Sequence, residues 1–168
     1  FIIRETEVNE SQAEFIRDYF FKKVNQELMT IILNDLAEFP LLKDTAAYLA
    51  TKIVMKNGSG KGKHNRYALI EIPKGIDRFV VLPKEGDKNY VIILDDLIRF
   101  CLDSVFTMFD FESISAHMIK ITRDAELDID NDFDRYVDDI WKHLEKTENV
   151  FKIAKKEPKQ KPEASKNN

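Results

Sequence analysis

A single cysteine, Cys101, occurs among the 168 residues, so no disulfide can form within the chain and a reducing compartment suits it. A lone thiol in an apolar stretch behaves as a small hydrophobe. No apolar run approaches the ~18 residues that cross a bilayer, so no transmembrane segment is expected. The start of the chain lacks the charged, apolar and small-residue succession of a signal peptide, and a cytoplasmic location follows as the expectation. Histidine is scarce too. His64, His117 and His143 fall on an expected loop, strand and helix, with no Cys or His partner at metal-ligand spacing, which argues against a zinc site. Of five glycines, three lie in Gly58-Ser59-Gly60-Lys61-Gly62-Lys63. A nucleotide-binding P-loop needs Gly-Lys followed by a hydroxyl residue that opens a helix, whereas Lys63 is followed by His64, Asn65 and a strand pattern. The loop therefore reads as a solvated hairpin connection. Neither a nucleophile elbow nor a paired base is recognisable, so no active site assembles from these residues alone.

What is present is enough for a core: 43% hydrophobic residues and twelve phenylalanines in a chain of one-domain length. A chain of this size buries roughly 70% of its unfolded surface. Charge is unevenly divided. Residues 155–168 hold five Lys against two Glu, which leaves 21 basic and 28 acidic residues elsewhere, a balance of −7. An acidic body excludes a general grip on nucleic acid, and any anion site must be local. The first residue is Phe1 rather than Met, and the expectation is a piece of something longer.

Ser11 and Glu14 have capping-box spacing, and Phe15, Ile16, Tyr19, Phe20 and Val24 step at three and four, which predicts a helix from Ser11 to about Thr30. Pro40 forces an extended segment at Phe39. Residues 48–55 and 66–72 are rich in β-branched and aromatic residues and read as a hairpin. Two short strands follow, 78–82 and 90–94, separated by Pro83 and the turn Glu85-Gly86-Asp87, with the second apolar enough to be central. Asp95 or Asp96 is placed to cap a helix carrying Leu97, Ile98, Cys101, Leu102, Val105 and Phe106. A strand spans 115–122, with His117, Ile119 and Ile121 on one side and Met118, Lys120 and Thr122 on the other. A last helix carries Phe133, Val137, Ile140, Trp141 and Leu144, and 150–154 form a final strand. The fold class expected is α+β: a mixed, mostly antiparallel sheet packed with about three helices. The organisation is a lead-in over 1–10, a domain over 11–154, and a Lys- and Pro-rich tail over 155–168 that cannot build a core and is expected to be disordered.

Asp124, Glu126, Asp128, Asp130, Asp132 and Asp134 alternate after the strand, and six carboxylates cannot share a buried face. Asp128, Asp130 and Asp132 imitate the start of a calcium loop, but Phe133 stands where the sharp turn needs Gly and Asp139 replaces the bidentate Glu. Helix capping by Asp130 or Asp132 is the simpler reading. Arg66, Arg78 and Arg123 each border a strand and are candidates to contact phosphate, since a guanidinium offers the matching bidentate fork. Ion pairing is the commoner use of such arginines. His117 has a catalytic reading, as general base or phosphoryl acceptor, and the more common one of a packed strand histidine.

Three collinear stretches resemble the bacterial polyphosphate kinase family, specifically its middle or head domain. They are 20–50, ending in Phe39-Pro40-Leu41-Leu42-Lys43-Asp44 and Tyr48-Leu49-Ala50; Arg66-Tyr67-Ala68-Leu69-Ile70-Glu71-Ile72-Pro73 with Arg78-Phe79-Val80-Val81-Leu82-Pro83; and Ile121-Thr122-Arg123-Asp124-Ala125-Glu126-Leu127-Asp128. Leu94-Asp95-Asp96-Leu97-Ile98-Arg99 fits between them. The resemblance implies part of an enzyme that moves the terminal phosphate of ATP reversibly onto polyphosphate, through a phosphohistidine and with magnesium. It also implies that the phosphate-accepting histidine, the phosphate-clamping arginines and most of the adenine contact lie in other domains. This chain then has no catalytic residue, metal or cofactor of its own; ATP and magnesium belong to the whole enzyme. Its implied role is assembly, contributing to a homo-oligomer and bracing the N-terminal and catalytic domains, within a fold similar to the small phosphohistidine phosphatases. The family's proline-bearing turn near 24–31 is missing here, which implies a longer first helix. Its strand into the catalytic half gives way to the Lys-Pro tail. Two alternatives stand beside this reading: a stand-alone regulatory module that binds a kinase or holds polyphosphate through the tail, and a small phosphohistidine phosphatase using His117.

Overall fold

Alternating β-branched and aromatic residues build the central hairpin. Strand β3 (Ala47–Met55) runs antiparallel to β4 (Asn65–Glu71), with Leu49 opposite Ile70 and Ala50 opposite Leu69. The structure, a computed structural model, describes residues 1–36, 40–43, 46–56, 65–120, 142 and 151–154. Strand β7 (Phe111–Lys120) pairs antiparallel with the other side of β3, and β8 (Phe151–Ala154) pairs antiparallel with β7. With β2 (Met29–Ile32) on the far edge of β4, the order of this five-stranded sheet is β2-β4-β3-β7-β8. A second sheet of three strands has the order β1 (Ile2–Ile3), β6 (Val91–Ile93), β5 (Phe79–Val81). Here β6 is central, as its apolar composition predicts; it is parallel to β1 and antiparallel to β5. The expected α+β class with largely antiparallel pairing holds, distributed over two sheets rather than one.

Helix α1 (Glu10–Tyr19) is capped two residues before the expected box. Asn9 is its cap: Asn9 Oδ1 accepts from the Gln12 amide at 2.9 Å, and Gln12 Oε1 accepts from the Asn9 amide at 3.2 Å. Asn at this position satisfies an orphan amide as well as serine does, so Ser11 falls inside the first turn. The helical backbone continues as a π turn, Phe20–Val24, and a 3-10 turn, Asn25–Glu27, then stops. The expected extension to Thr30 is therefore corrected: Thr30 and Ile31 sit in β2, opposite Ile70 and Leu69. Two β-branched isoleucines following Thr30 favour the strand once β4 offers an edge to pair with. Ile16, Phe20 and Val24 are fully buried, so the stripe that predicts the helix is its inner face.

Helix α2 (Leu94–Phe100) and the one-turn α3 (Leu102–Val105) replace the single helix expected, and the break falls at Cys101. Neither Asp95 nor Asp96 caps α2. Ile93 occupies the cap position without a side-chain bond, and both aspartates lie within the first turn. Leu97, Ile98, Cys101, Leu102 and Phe106 are completely buried. Together with Leu49, Ile53, Ile70 and Ile114 of the large sheet and Ile92 of the small one they form the main core. Burial pushes the Cys101 thiol up to about 12, which makes it an inert core group. A smaller cluster covers the opposite face of the large sheet, with Leu33, Leu42, Tyr48, Tyr67 and Leu69. Tyr48 keeps its hydroxyl satisfied there by accepting from the Lys43 amide at 3.0 Å.

The lead-in, the loop around Gly60, the acidic run after Lys120, the last helix and the tail have different fates. The lead-in is structured as β1 and a 3-10 turn, Glu5–Glu7. Phe39, residues 57–64, the segment 121–141 with Arg123 and the Asp128 to Asp132 pattern, and the tail 155–168 lie outside the described residues, as does all of the expected last helix except Lys142.

Candidate functional site

The three candidate arginines start from different elements. Arg66 is half-buried on β4 opposite Ile53, and its guanidinium stands 5.2 Å from the centroid of the Phe109 ring, a cation–π contact. Arg78 is exposed just before β5, where its carbonyl accepts from the Leu94 amide at 2.8 Å. Arg66 belongs to the large sheet and Arg78 precedes a strand of the small one, and Arg123 is outside the described residues. His117, 5% exposed, is buried in the middle of β7 opposite Ala50.

A shallow cleft of about 210 Å³ opens between α3 and β2, lined by Leu28, Thr30, Ile32, Val105, Phe106 and Met108. It has no charged lining residue. A nucleoside triphosphate needs cations or a row of amides aimed at its phosphates, and this cleft supplies neither cation nor helix start. Among the described residues no group of three His, Cys, Asp or Glu side chains is placed to hold a metal ion.

Two features that sequence reasoning misses are more distinctive. The first is a buried charge cluster. Arg99 Nη1 lies 3.2 Å from Glu5 Oε1, and Nη2 lies 2.8 Å from Asp95 Oδ2 and 2.9 Å from Asp96 Oδ1. All four side chains are nearly sequestered, with exposures of 13% for Arg99, 6% for Glu5, 8% for Asp95 and 10% for Asp96. Three carboxylates against one guanidinium cannot all stay ionised cheaply in such a place. The structure relieves this at Asp96, whose carboxyl is pushed up to about 7, first by burial and then by its hydrogen bond to Glu5 and the charges of Glu5 and Asp95; Arg99 opposes the rise. Half of this cluster is legible in the sequence, because Asp95 and Asp96 stand four and three residues before Arg99. Glu5 arrives from 94 residues away.

The second feature is the outer face of the small sheet. Ile3, Ile92 and Val80 form one cross-strand row and point into the core. The period of two then sends their neighbours outward. Ile2 is 64% exposed, Phe79 54% and Val81 65%, flanking the half-buried Val91 and Ile93. Phe1, 73% exposed, adds a ring tilted against Tyr90 with centroids 5.8 Å apart. The alternation at Phe79-Val80-Val81 is visible in the sequence, but the alignment with Ile2 depends on a pairing between the chain start and β6.

The described residues thus define a packed α+β domain with a wide apolar face and no assembled catalytic group. The family model for the polyphosphate kinase middle domain matches residues 11–151. The chain is 38% identical over 136 residues to the polyphosphate kinase of Yersinia pestis and, equally, to that of Escherichia coli strain K12; each match covers 77% of this chain and 19% of the relative. The polyphosphate kinase of Vibrio parahaemolyticus is 35% identical over 139 residues, with 80% and 19% covered. The crystal structure of polyphosphate kinase from Porphyromonas gingivalis shares the fold, with a TM-score of 0.62 at 24% identity, over 85% of this chain and 22% of that one. The chain belongs to the polyphosphate kinase middle-domain family. It spans about a fifth of the length of the curated relatives it matches.

Proposed function

We propose that this domain is a noncatalytic brace and dimerisation element of a polyphosphate kinase, an enzyme that transfers the terminal phosphate of ATP to polyphosphate in the cytoplasm. The observation that carries the reading is the outer face of the small sheet, where Ile2 on β1 and Phe79 and Val81 on β5, the two strands flanking β6, are each more than half exposed. Contiguous apolar surface of this kind is what a macromolecular contact covers. A second copy of the domain and the remaining domains of the parent enzyme are the partners this reading assigns. ATP and magnesium then belong to the other four fifths of the relatives' length. Arg66, Arg78 and Arg123 remain the residues of this chain assigned to phosphate contact in the assembled enzyme, with the exposed Arg78 the most accessible of the described pair.

Sedimentation of the purified chain against the double variant Phe79→Asp, Val81→Asp tests the assembly role. The wild type is expected to approach dimer mass as concentration rises, and the variant to stay monomeric. Asp is disfavoured in a strand, so the variant's far-UV circular dichroism and urea midpoint are compared with those of the wild type to separate lost association from unfolding. A wild type that remains monomeric throughout, or a variant that associates equally well, would overturn the dimerisation role.

A further inference from the structure

We propose that Glu5 and Asp96 share one proton, and that this proton fastens the lead-in of the chain, β1 and the turn Glu5–Glu7, to α2, making that attachment pH-dependent. The geometry comes first. Glu5 Oε1 is taken by Arg99 at 3.2 Å, while Glu5 Oε2 is buried and receives no N–H or hydroxyl hydrogen from any described residue. A buried carboxylate oxygen without a donor is costly. Arg99 holds the Asp96 carboxyl through its other terminal nitrogen at 2.9 Å, which sets Asp96 beside Glu5, and Glu5 in turn raises the Asp96 carboxyl. Two carboxyl groups can hydrogen-bond only if one of them carries a proton, so the donor that Glu5 Oε2 lacks is an acid O–H. Arg99 fixes one Asp96 oxygen at 2.9 Å and leaves the other for that proton.

Among the described residues, the turn of Glu5 also carries Glu7, which is exposed and accepts from the Arg4 amide at 2.8 Å, and the π turn after α1 carries Lys23, also exposed. Strand β6 has only Val91, Ile92 and Ile93; on α3, Asp103 is turned to Arg17 at 3.3 Å; in the π turn after α1, Lys22 is turned to Asp18 at 2.8 Å. Asp95 faces the pair from α2 and adds repulsion, while Arg99 supplies the attraction. An unfolded aspartate releases its proton near 3.8, while docked Asp96 holds its proton to about 7. The docked state therefore binds more protons between these values. Its stabilisation is complete below the lower value and is lost as pH rises through the upper one. Above it, two bare carboxylates face each other across the joint between the lead-in and α2. β1 is only two residues long; besides Glu5 it is held by its pairing with β6, by buried Ile3, by the Phe1 ring against Tyr90, by the Phe1 ammonium donating to the Asn89 carbonyl at 2.7 Å and by the Val91 amide bonded to the Phe1 carbonyl at 2.8 Å.

Hydrogen exchange at the Val91 amide, corrected for the intrinsic rate, reads this joint directly. Release of one proton changes an equilibrium by at most about tenfold per pH unit, so wild-type protection at Val91 is expected to fall roughly tenfold between pH 6 and pH 8 while core amides such as Ile53 change little. Asp96→Asn keeps a neutral donor to Glu5 and is expected to make Val91 protection flat over the same range. Glu5→Gln, at the chain start and outside the core, gives the same flat profile if Asp96→Asn folds poorly. A wild-type profile that is already flat overturns the proposal. So does an unchanged pH-dependent fall in both variants.

Discussion

Arg99→Ala is expected to cost about 3–5 kcal/mol of folding stability, the range measured when one partner of a buried ion pair is removed. The guanidinium is 13% exposed and is the one cation within reach of Glu5, Asp95 and Asp96 among the described residues, so its loss leaves an excess of buried negative charge with no compensation. Marginal stability of about 5–15 kcal/mol for a domain makes this a large fraction of the total. The pH dependence distinguishes the mechanism from lost packing. Arg99 is the group that opposes the rise at Asp96, so without it Asp96 holds its proton to still higher pH in the folded state, and the stability retained is greatest in acid and is lost as pH rises. Urea denaturation is expected to show a larger deficit for Arg99→Ala at pH 8 than at pH 5. A deficit independent of pH would mean that the side chain acts by its volume alone.

Phe106→Ala is the other large effect, about 3–5 kcal/mol, the usual cost of truncating a buried phenylalanine. Phe106 is fully buried between the end of α3 and the cleft, and its ring lies 6.2 Å from that of Phe109 in a stacked arrangement. Its removal joins a new void to the cleft, which water can enter from the side of Met108. Met108 lines the same cleft but is 71% exposed, and Met108→Ala is expected to change stability by no more than about 0.5 kcal/mol. The midpoint of thermal or urea unfolding for the pair separates core from rim. Similar losses for both would contradict the placement of Phe106 in the core.

These effects show how far the residues alone disclose the fold. β-Branched and aromatic content identifies β3 and β4, a continuous apolar run identifies β6, alternation identifies β7, and the apolar positions from Leu97 to Phe106 identify the buried helices. The errors share one cause. Met29–Ile32 continue the apolar content of α1, so local pattern extends the helix, and only the edge of β4 makes a strand the better solution. Ile2–Ile3 are too short to register as a strand until β6 is beside them. Asp95 and Asp96 have the composition of caps, yet Arg99 one turn later and Glu5 from the chain start draw them inward. Cooperation between residues far apart in sequence is what a single window cannot contain. The same limit hides the apolar face: Phe79 and Val81 alternate visibly, but Ile2 joins them only through the sheet.

The family assignment rests on collinear motifs that span both sheets, whereas the phosphate-contact arginines are single residues with competing uses. Arg66 illustrates this, since Phe109 already occupies one face of its guanidinium. The proposed structural role draws on the exposed apolar face of the small sheet, and that proposal leaves phosphoryl transfer to the rest of the relatives' length.

The central claim is that this domain supports phosphoryl transfer without performing it. The direct measurement is transfer of the labelled terminal phosphate of ATP to polyphosphate by the purified 168-residue chain in the presence of magnesium. The expected result is no incorporation above the protein-free control. Sustained, enzyme-dependent incorporation by this chain alone would contradict it.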